Sequence, residues 1–245
     1  MKNFILLLQF FTRIPIKKNV NYDNESYGKA TFLLPIIGLI VGFFLYILGI
    51  SLIKLEVSKE IYALAMVIGW IFITGALHID GFADSIDGLL SYRPKDKILE
   101  IMRDPHIGTN GVIGIVLLIL FKFFLYKELS PLIIMLSFAV GRIAIIFSAS
   151  FGKYARAKGM ALAIIEYNDK RTFLASFIIT SIIFSFFKNY YVYVLLTLVF
   201  VYFLHRKIVK KIGGVTGDTL GFVCEISEVF FLLLVYLGGI NEIFR

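Results

Sequence analysis

Long apolar runs dominate the chain, broken at intervals by short polar segments. They predict seven membrane-spanning helices, at about 30–53, 61–78, 111–127, 131–150, 173–187, 190–205 and 219–240. Most approach or exceed the ~18 apolar residues that mark a helix able to cross a hydrocarbon core. The pieces at 173–187 and 190–205 are short and read as a tight helical hairpin. The first residues, Met1 to Ile16, carry Lys2 and then an apolar stretch. Arg13, Pro15, Lys17 and Lys18 follow in place of a small-residue cleavage site, so the segment reads as a retained interfacial helix. The expected fold is an all-α polytopic membrane protein, with 1–245 as one domain.

Composition agrees with this pattern. Of 245 residues, 59% are hydrophobic and 17% charged, where soluble domains carry about 25% charged residues. A β-barrel would show short alternating segments instead. The net charge of +8 reports topology before it reports nucleic-acid binding, which is not expected here. Segments 1–29, 79–110, 151–172 and 206–218 hold 18 of the 25 Lys and Arg. By the positive-inside rule these four face the cytoplasm. The expected location is the cytoplasmic membrane of the cell, with lipid as the surrounding partner. The single cysteine, Cys224, reads as a small buried apolar residue.

Every polar motif falls in or beside those four segments. The first is His78-Ile79-Asp80-Gly81-Phe82-Ala83-Asp84-Ser85-Ile86-Asp87-Gly88. On a helix, Asp80, Asp84 and Asp87 would lie within roughly 60° of one another. Three carboxylates on one face repel unless a cation lies between them. Hard oxygen ligands suggest Mg²⁺, and Mg²⁺ suggests phosphate chemistry. Gly81 and Gly88 permit close approach of backbone or ligand.

The second motif runs from Ile101 to Gly111 and contains Arg103, Asp104, His106, Gly108 and Thr109. Gly108-Thr109-Asn110-Gly111 opens a span, so it is either a cap or a turn that holds phosphate on free N–H groups. The third motif is Gly213-Gly214-Val215-Thr216-Gly217-Asp218-Thr219-Leu220-Gly221. Gly214, Thr216, Gly217 and Asp218 form either a phosphate nest or a helix cap. Glu225 and Glu228 follow inside the last span, where carboxylates are costly and functional by default. They contact substrate or metal, or they pair with Arg142 in the fourth span. Arg156, in a basic stretch from Lys153 to Lys158, faces polyphosphate or anionic lipid. Arg13 is a phosphate partner or an interfacial snorkel.

Together these blocks resemble the cobalamin synthase family, the adenosylcobinamide-GDP ribazoletransferases. The resemblance rests on Leu8 to Pro15, Leu34 to Gly38, Gly75 to Gly88, Ile101 to Gly111, Gly141-Arg142, and Gly213 to Gly221 with Glu225 and Glu228. It runs in order from end to end. It implies a Mg²⁺-dependent membrane transferase that ends assembly of the cobalamin nucleotide loop. Adenosylcobinamide-GDP and α-ribazole, or its 5′-phosphate, would give adenosylcobalamin, or its phosphate, and GMP. Asp80, Asp84 and Asp87 would hold the metal. One of them, or His78 or His106, would take the hydroxyl proton, with an aspartate ranked first. Arg13, Asp104, Gly108, Thr109, Gly111, Arg142, Arg156, Gly214, Thr216, Gly217, Asp218, Glu225 and Glu228 would contact substrate. The implied partners are the corrinoid nucleotide and ribazole substrates, and a homo-oligomer or a membrane biosynthetic complex is compatible with them.

Two rivals fit less well. A CDP-alcohol phosphotransferase would carry Asp-Gly-x-x-Ala-Arg, but Asp80-Gly81 leads into Phe82-Ala83-Asp84 with no arginine in place. An ion-coupled transporter would show repeats and mid-membrane polar breaks, whereas the motifs here gather at span ends.

Overall fold

A computed structural model describes residues 2–239. The end of the seventh expected span at residue 240, and Arg245, lie outside the described residues. Among the described residues the regular structure is helical, apart from one isolated bridge. The helices are α1 Lys2–Phe11, α2 Asn24–Ala30, α3 Leu34–Lys54, α4 Lys59–Thr74, α5 Leu77–Leu89 and α6 Lys95–Ile101. There follow α7 Thr109–Glu128, α8 Pro131–Phe151, α9 Leu162–Glu166, α10 Lys170–Ser185, α11 Lys188–Ile212 and α12 Gly217–Leu237.

Five helices are long and apolar enough to cross a membrane: α2–α3 together, α7, α8, α11 and α12. The bent pair α4 and α5 makes a sixth if counted as one span. The seven expected spans are thus met by five, or six, for two local reasons. The run at 61–78 breaks at Gly75 and Ala76, both left-handed with φ of 61° and 58°. After that break α5 turns 93° from α4 and crosses the end of the bundle. The run at 173–187 becomes α10, whose 16 residues reach only about 24 Å at the helical rise.

Helix α8 is the hub, with 83% of its spanning window buried. Its intimacy with α3 follows from sequence. Gly38 and Gly42, four residues apart, face the backbone of Phe138 and Met135, and a Cβ at Gly38 would overlap the Phe138 carbonyl. Small residues at this spacing let helices approach where lipid supplies no hydrophobic drive. Outward, α3, α4, α7, α10 and α11 expose large apolar side chains such as Phe43, Phe72, Phe121, Ile178 and Phe203. Those faces suit a hydrocarbon solvent.

Four charges sit inside the bundle. Lys122 of α7 lies 2.6 Å from both Glu225 and Glu228 of α12. Glu228 also pairs with Arg142 of α8. The Lys122 ammonium stands 3.7 Å over the Trp70 ring of α4. All four ionic side chains are buried to 1% exposure or less. Here each cation meets an anion, which is the condition for keeping charge out of water.

Candidate active site

The four basic segments converge on one end of the bundle. Glycines in α5 and α12 bring these two helices together. A Cβ on Gly81 would stand 2.9 Å from the Asp218 Cα, and one on Gly221 would stand 3.0 Å from the His78 carbonyl. Phe82 and Phe222 stack at 5.5 Å beside the crossing. The glycines next to the aspartates therefore serve helix approach. The α11–α12 turn is held by the 152–156 loop, where Ala155 donates to Val215 at 2.9 Å and Val215 to Lys153 at 2.8 Å. Gly214 lacks a Cβ because the Lys153 carbonyl passes there.

This crossing sets Asp80 and Asp84 beside Asp218. Asp218 and Arg156 pair at 2.7 Å, and Arg156 also donates to the Met102 carbonyl at 3.3 Å. Asp84, half-buried on α5, has its carboxyl pushed up to about 7. Burial is the largest cause, followed by the carboxylates of Asp218 and Asp80, while Arg156 pulls the other way. A crevice of about 410 Å³ runs from Asp80 and Asp84 to Arg103 and Asp104. A second, of about 540 Å³, lies between Arg103, Arg156, Lys158 and Asp218. Negative and positive walls thus meet along one groove.

Asp87 departs from its expected role. Its two oxygens accept the N–H groups of Gly108 at 2.7 Å and Gly111 at 2.9 Å. The carboxylate sits at the α7 N-terminus, where free N–H groups and the helix dipole favour an anion. A Cβ on Gly108 or Gly111 would overlap it. Two expectations change together. Asp87 turns from the Asp80 and Asp84 face toward α7, and among the described residues no three His, Cys, Asp or Glu side chains gather at metal-binding spacing. The Gly108–Gly111 turn carries the protein's own carboxylate in place of a bound phosphate.

The Gly213–Asp218 turn is likewise self-satisfied. Thr216 is buried and caps α12, accepting from Thr219 at 3.2 Å, while Thr219 Oγ1 accepts from the Thr216 N–H at 2.8 Å. Gly213 ends α11 in the left-handed region at φ 76°. Of this motif, Gly217 and Asp218 line the groove. Arg142, Glu225 and Glu228 belong to the buried ion cluster, which closes them to substrate in this state. The pairing of Arg142 with glutamate was the structural alternative in the sequence.

His106 is exposed and bonds Asp104 at 2.7 Å within its own turn, so neither side chain is buried in the groove. Thr109 is exposed at the start of α7. Arg13 donates its backbone N–H to Ile73 at 2.8 Å, and its side chain lies against Gly75 at the α4–α5 break. His78 is buried between Phe11 and Cys224. Sequence reasoning passed over Lys122 as a mere charge within a span, although a lysine in an apolar run needs a buried anion. Arg103 and Lys158 stand in separate motifs of the sequence, and only the meeting of two distant loops makes them neighbours of Asp218.

The cobalamin-5-phosphate synthase family profile matches residues 3–236. A Clostridium acetobutylicum adenosylcobinamide-GDP ribazoletransferase is 38% identical over 242 residues, covering 96% of each chain. Proteins of the same description from Alkaliphilus oremlandii and Clostridioides difficile are 36% and 34% identical, over 97% of this chain and 98% of theirs. No solved structure matches. With its ordered motifs, its helical membrane fold and these full-length likenesses, the chain belongs to the cobalamin-5-phosphate synthase family.

Proposed function

We propose that the protein is an adenosylcobinamide-GDP ribazoletransferase that performs the last joining step of the cobalamin nucleotide loop, with Mg²⁺, at the cytoplasmic face of the membrane. One observation carries the reading: Asp80, Asp84 and Asp218 meet Arg156 in a groove that opens at the end of a membrane bundle. The family and the relatives' names supply the substrates.

The donor set fits a divalent hard cation. Mg²⁺ is commonly held by one or two carboxylates, with phosphate and water oxygens completing its shell. Asp80 and Asp84 are those two here; burial first, and then the neighbouring carboxylates, raise the Asp84 carboxyl, and a cation would relieve the repulsion. Held by Asp80 and Asp84, Mg²⁺ would neutralise the charge that develops on the phosphates. Arg156, Arg103 and Lys158 line the adjoining crevice and suit the guanylyl phosphate. Phosphoryl transfer of this kind depends on positioning and electrostatics. A ribose hydroxyl of α-ribazole forms a bond to the phosphorus attached to cobinamide. The bond from that phosphorus to the bridging oxygen breaks, and GMP leaves. The hydroxyl proton passes to a carboxylate of the same group.

The test is turnover in membranes given adenosylcobinamide-GDP, α-ribazole and Mg²⁺, with cobalamin and GMP followed together. Correctly inserted protein without product would sink the reading, and full activity in EDTA would sink the metal. For sidedness, Ser91→Cys should label only from the cytoplasmic side, since Cys224 is buried.

A further inference from the structure

A smaller pocket opens beside the carboxylates, between α1, α5, α8, α9 and α12. Phe10, Phe11, His78, Ile145, Ile164 and Leu220 form its walls. Its volume is about 100 Å³, against about 410 and 540 Å³ for the two crevices, and its mouth is open to solvent. Asp80 and Asp218 stand among the same lining residues, so the pocket adjoins the groove. His78 is only 4% exposed, yet its Nε2 has no hydrogen-bond partner among the described residues. Its ring lies 5.8 Å from that of Phe11, tilted by 34°. The other ring nitrogen is 3.8 Å from Cys224 Sγ. A buried polar atom without a protein partner needs one from a water or a ligand, and this one belongs to a residue that lines the pocket.

We propose that this pocket holds the planar aromatic base of the acceptor nucleoside, with His78 Nε2 bonded to the base's one free ring nitrogen. The proposal rests on the transferase reading. Mostly apolar walls, with Asp80 and Asp218 on the groove side and the unpartnered His78 Nε2, suit a flat ring that has one polar atom to satisfy. Guanine is the other heterocycle at hand, with amide and amino donors that the Asp80 and Asp218 carboxylates could accept, so GMP is the competing probe. A base seated here would leave its ribose at the mouth, beside Asp80. His78 is then a binding residue and takes no part in proton transfer.

The test titrates detergent-solubilised protein by calorimetry with three probes. These are α-ribazole, its analogue with carbon in place of the free ring nitrogen, and GMP. Wild type should bind the analogue about tenfold more weakly than α-ribazole. His78→Phe keeps an aromatic wall and deletes the nitrogen. It should bind α-ribazole and the analogue equally, both about tenfold below wild-type α-ribazole, with GMP unchanged. In turnover its KM for α-ribazole should rise about tenfold, while kcat and the KM for the corrinoid nucleotide change less than twofold. If wild type binds the analogue as tightly as α-ribazole, the assignment is overturned, whether or not the variant folds. If GMP is the probe that His78→Phe weakens, guanine owns the pocket and the assignment is again overturned. Wild type that neither binds nor turns over α-ribazole overturns the transferase reading itself.

Discussion

Asp87 separates a metal site from a helix cap, and the two roles give opposite results on substitution. Its carboxylate takes two backbone N–H groups, at 2.7 and 2.9 Å, from the first turn of α7. Hydrogen bonds to a charged group are worth about 1.5–3 kcal/mol each, although two on one carboxylate do not add fully. Loss of a helix cap costs ~0.5–2 kcal/mol. Asp87 is buried, so water cannot replace it freely. Asp87→Ala should therefore destabilise the protein by about 2–4 kcal/mol, and Asp87→Asn, which keeps one good acceptor oxygen, by about 1–2 kcal/mol.

The assay is thermal unfolding in detergent, paired with a Mg²⁺ titration of turnover on the folded fraction. Stability should fall while the Mg²⁺ concentration for half-maximal rate stays within twofold. Glycine supplies an internal control. Gly111→Ala alone should destabilise, because its Cβ meets the Asp87 carboxylate. In an Asp87→Ala background that space is vacated and the second substitution should cost less, a non-additivity expected only of touching residues. A stable Asp87→Asn protein whose Mg²⁺ requirement rises more than tenfold would refute the capping account and return Asp87 to the metal.

Three further outcomes follow from the same geometry. Asp84 loses its proton near pH 7 in the metal-free protein, and a ligand must be deprotonated to bind, so apparent Mg²⁺ affinity should rise about tenfold per pH unit below 7 and level off above it. Asp84→Asn should abolish that slope in a pH series of Mg²⁺ titrations, along with most of the activity. Glu228→Ala leaves Lys122 and Arg142 short of an anion; thermal unfolding should show a loss of about 3–5 kcal/mol. Gly38→Ala presses a methyl into the Phe138 backbone and should cost about 1–3 kcal/mol, while Gly38→Leu should prevent recovery of monodisperse protein in size-exclusion chromatography.

Helix type and the grouping of the polar loops were legible because they depend on local pattern. Apolar length predicted α3, α7, α8, α11 and α12, and Lys and Arg counts grouped the loops that do converge on one end. The site was legible only as an ingredient list. Spacing along one helix could place Asp80, Asp84 and Asp87 on a common face, but a face about 60° wide spans two neighbours. Asp84 looks to α12, and Asp87 looks to α7. Which neighbour stands on which side is a tertiary fact that no periodicity carries. The glycine turns misled for a related reason. Free N–H groups at a helix start attract any anion, and the sequence cannot say whether that anion is a substrate phosphate or a side chain many residues away. The glycines at 108 and 111 make room for the protein's own carboxylate. With those N–H groups occupied, the unsatisfied negative charge of the site is left to Asp80, Asp84 and Asp218, with Arg156 as the only ion-pair partner found among the described residues for any of the three. That imbalance is what a divalent cation would correct.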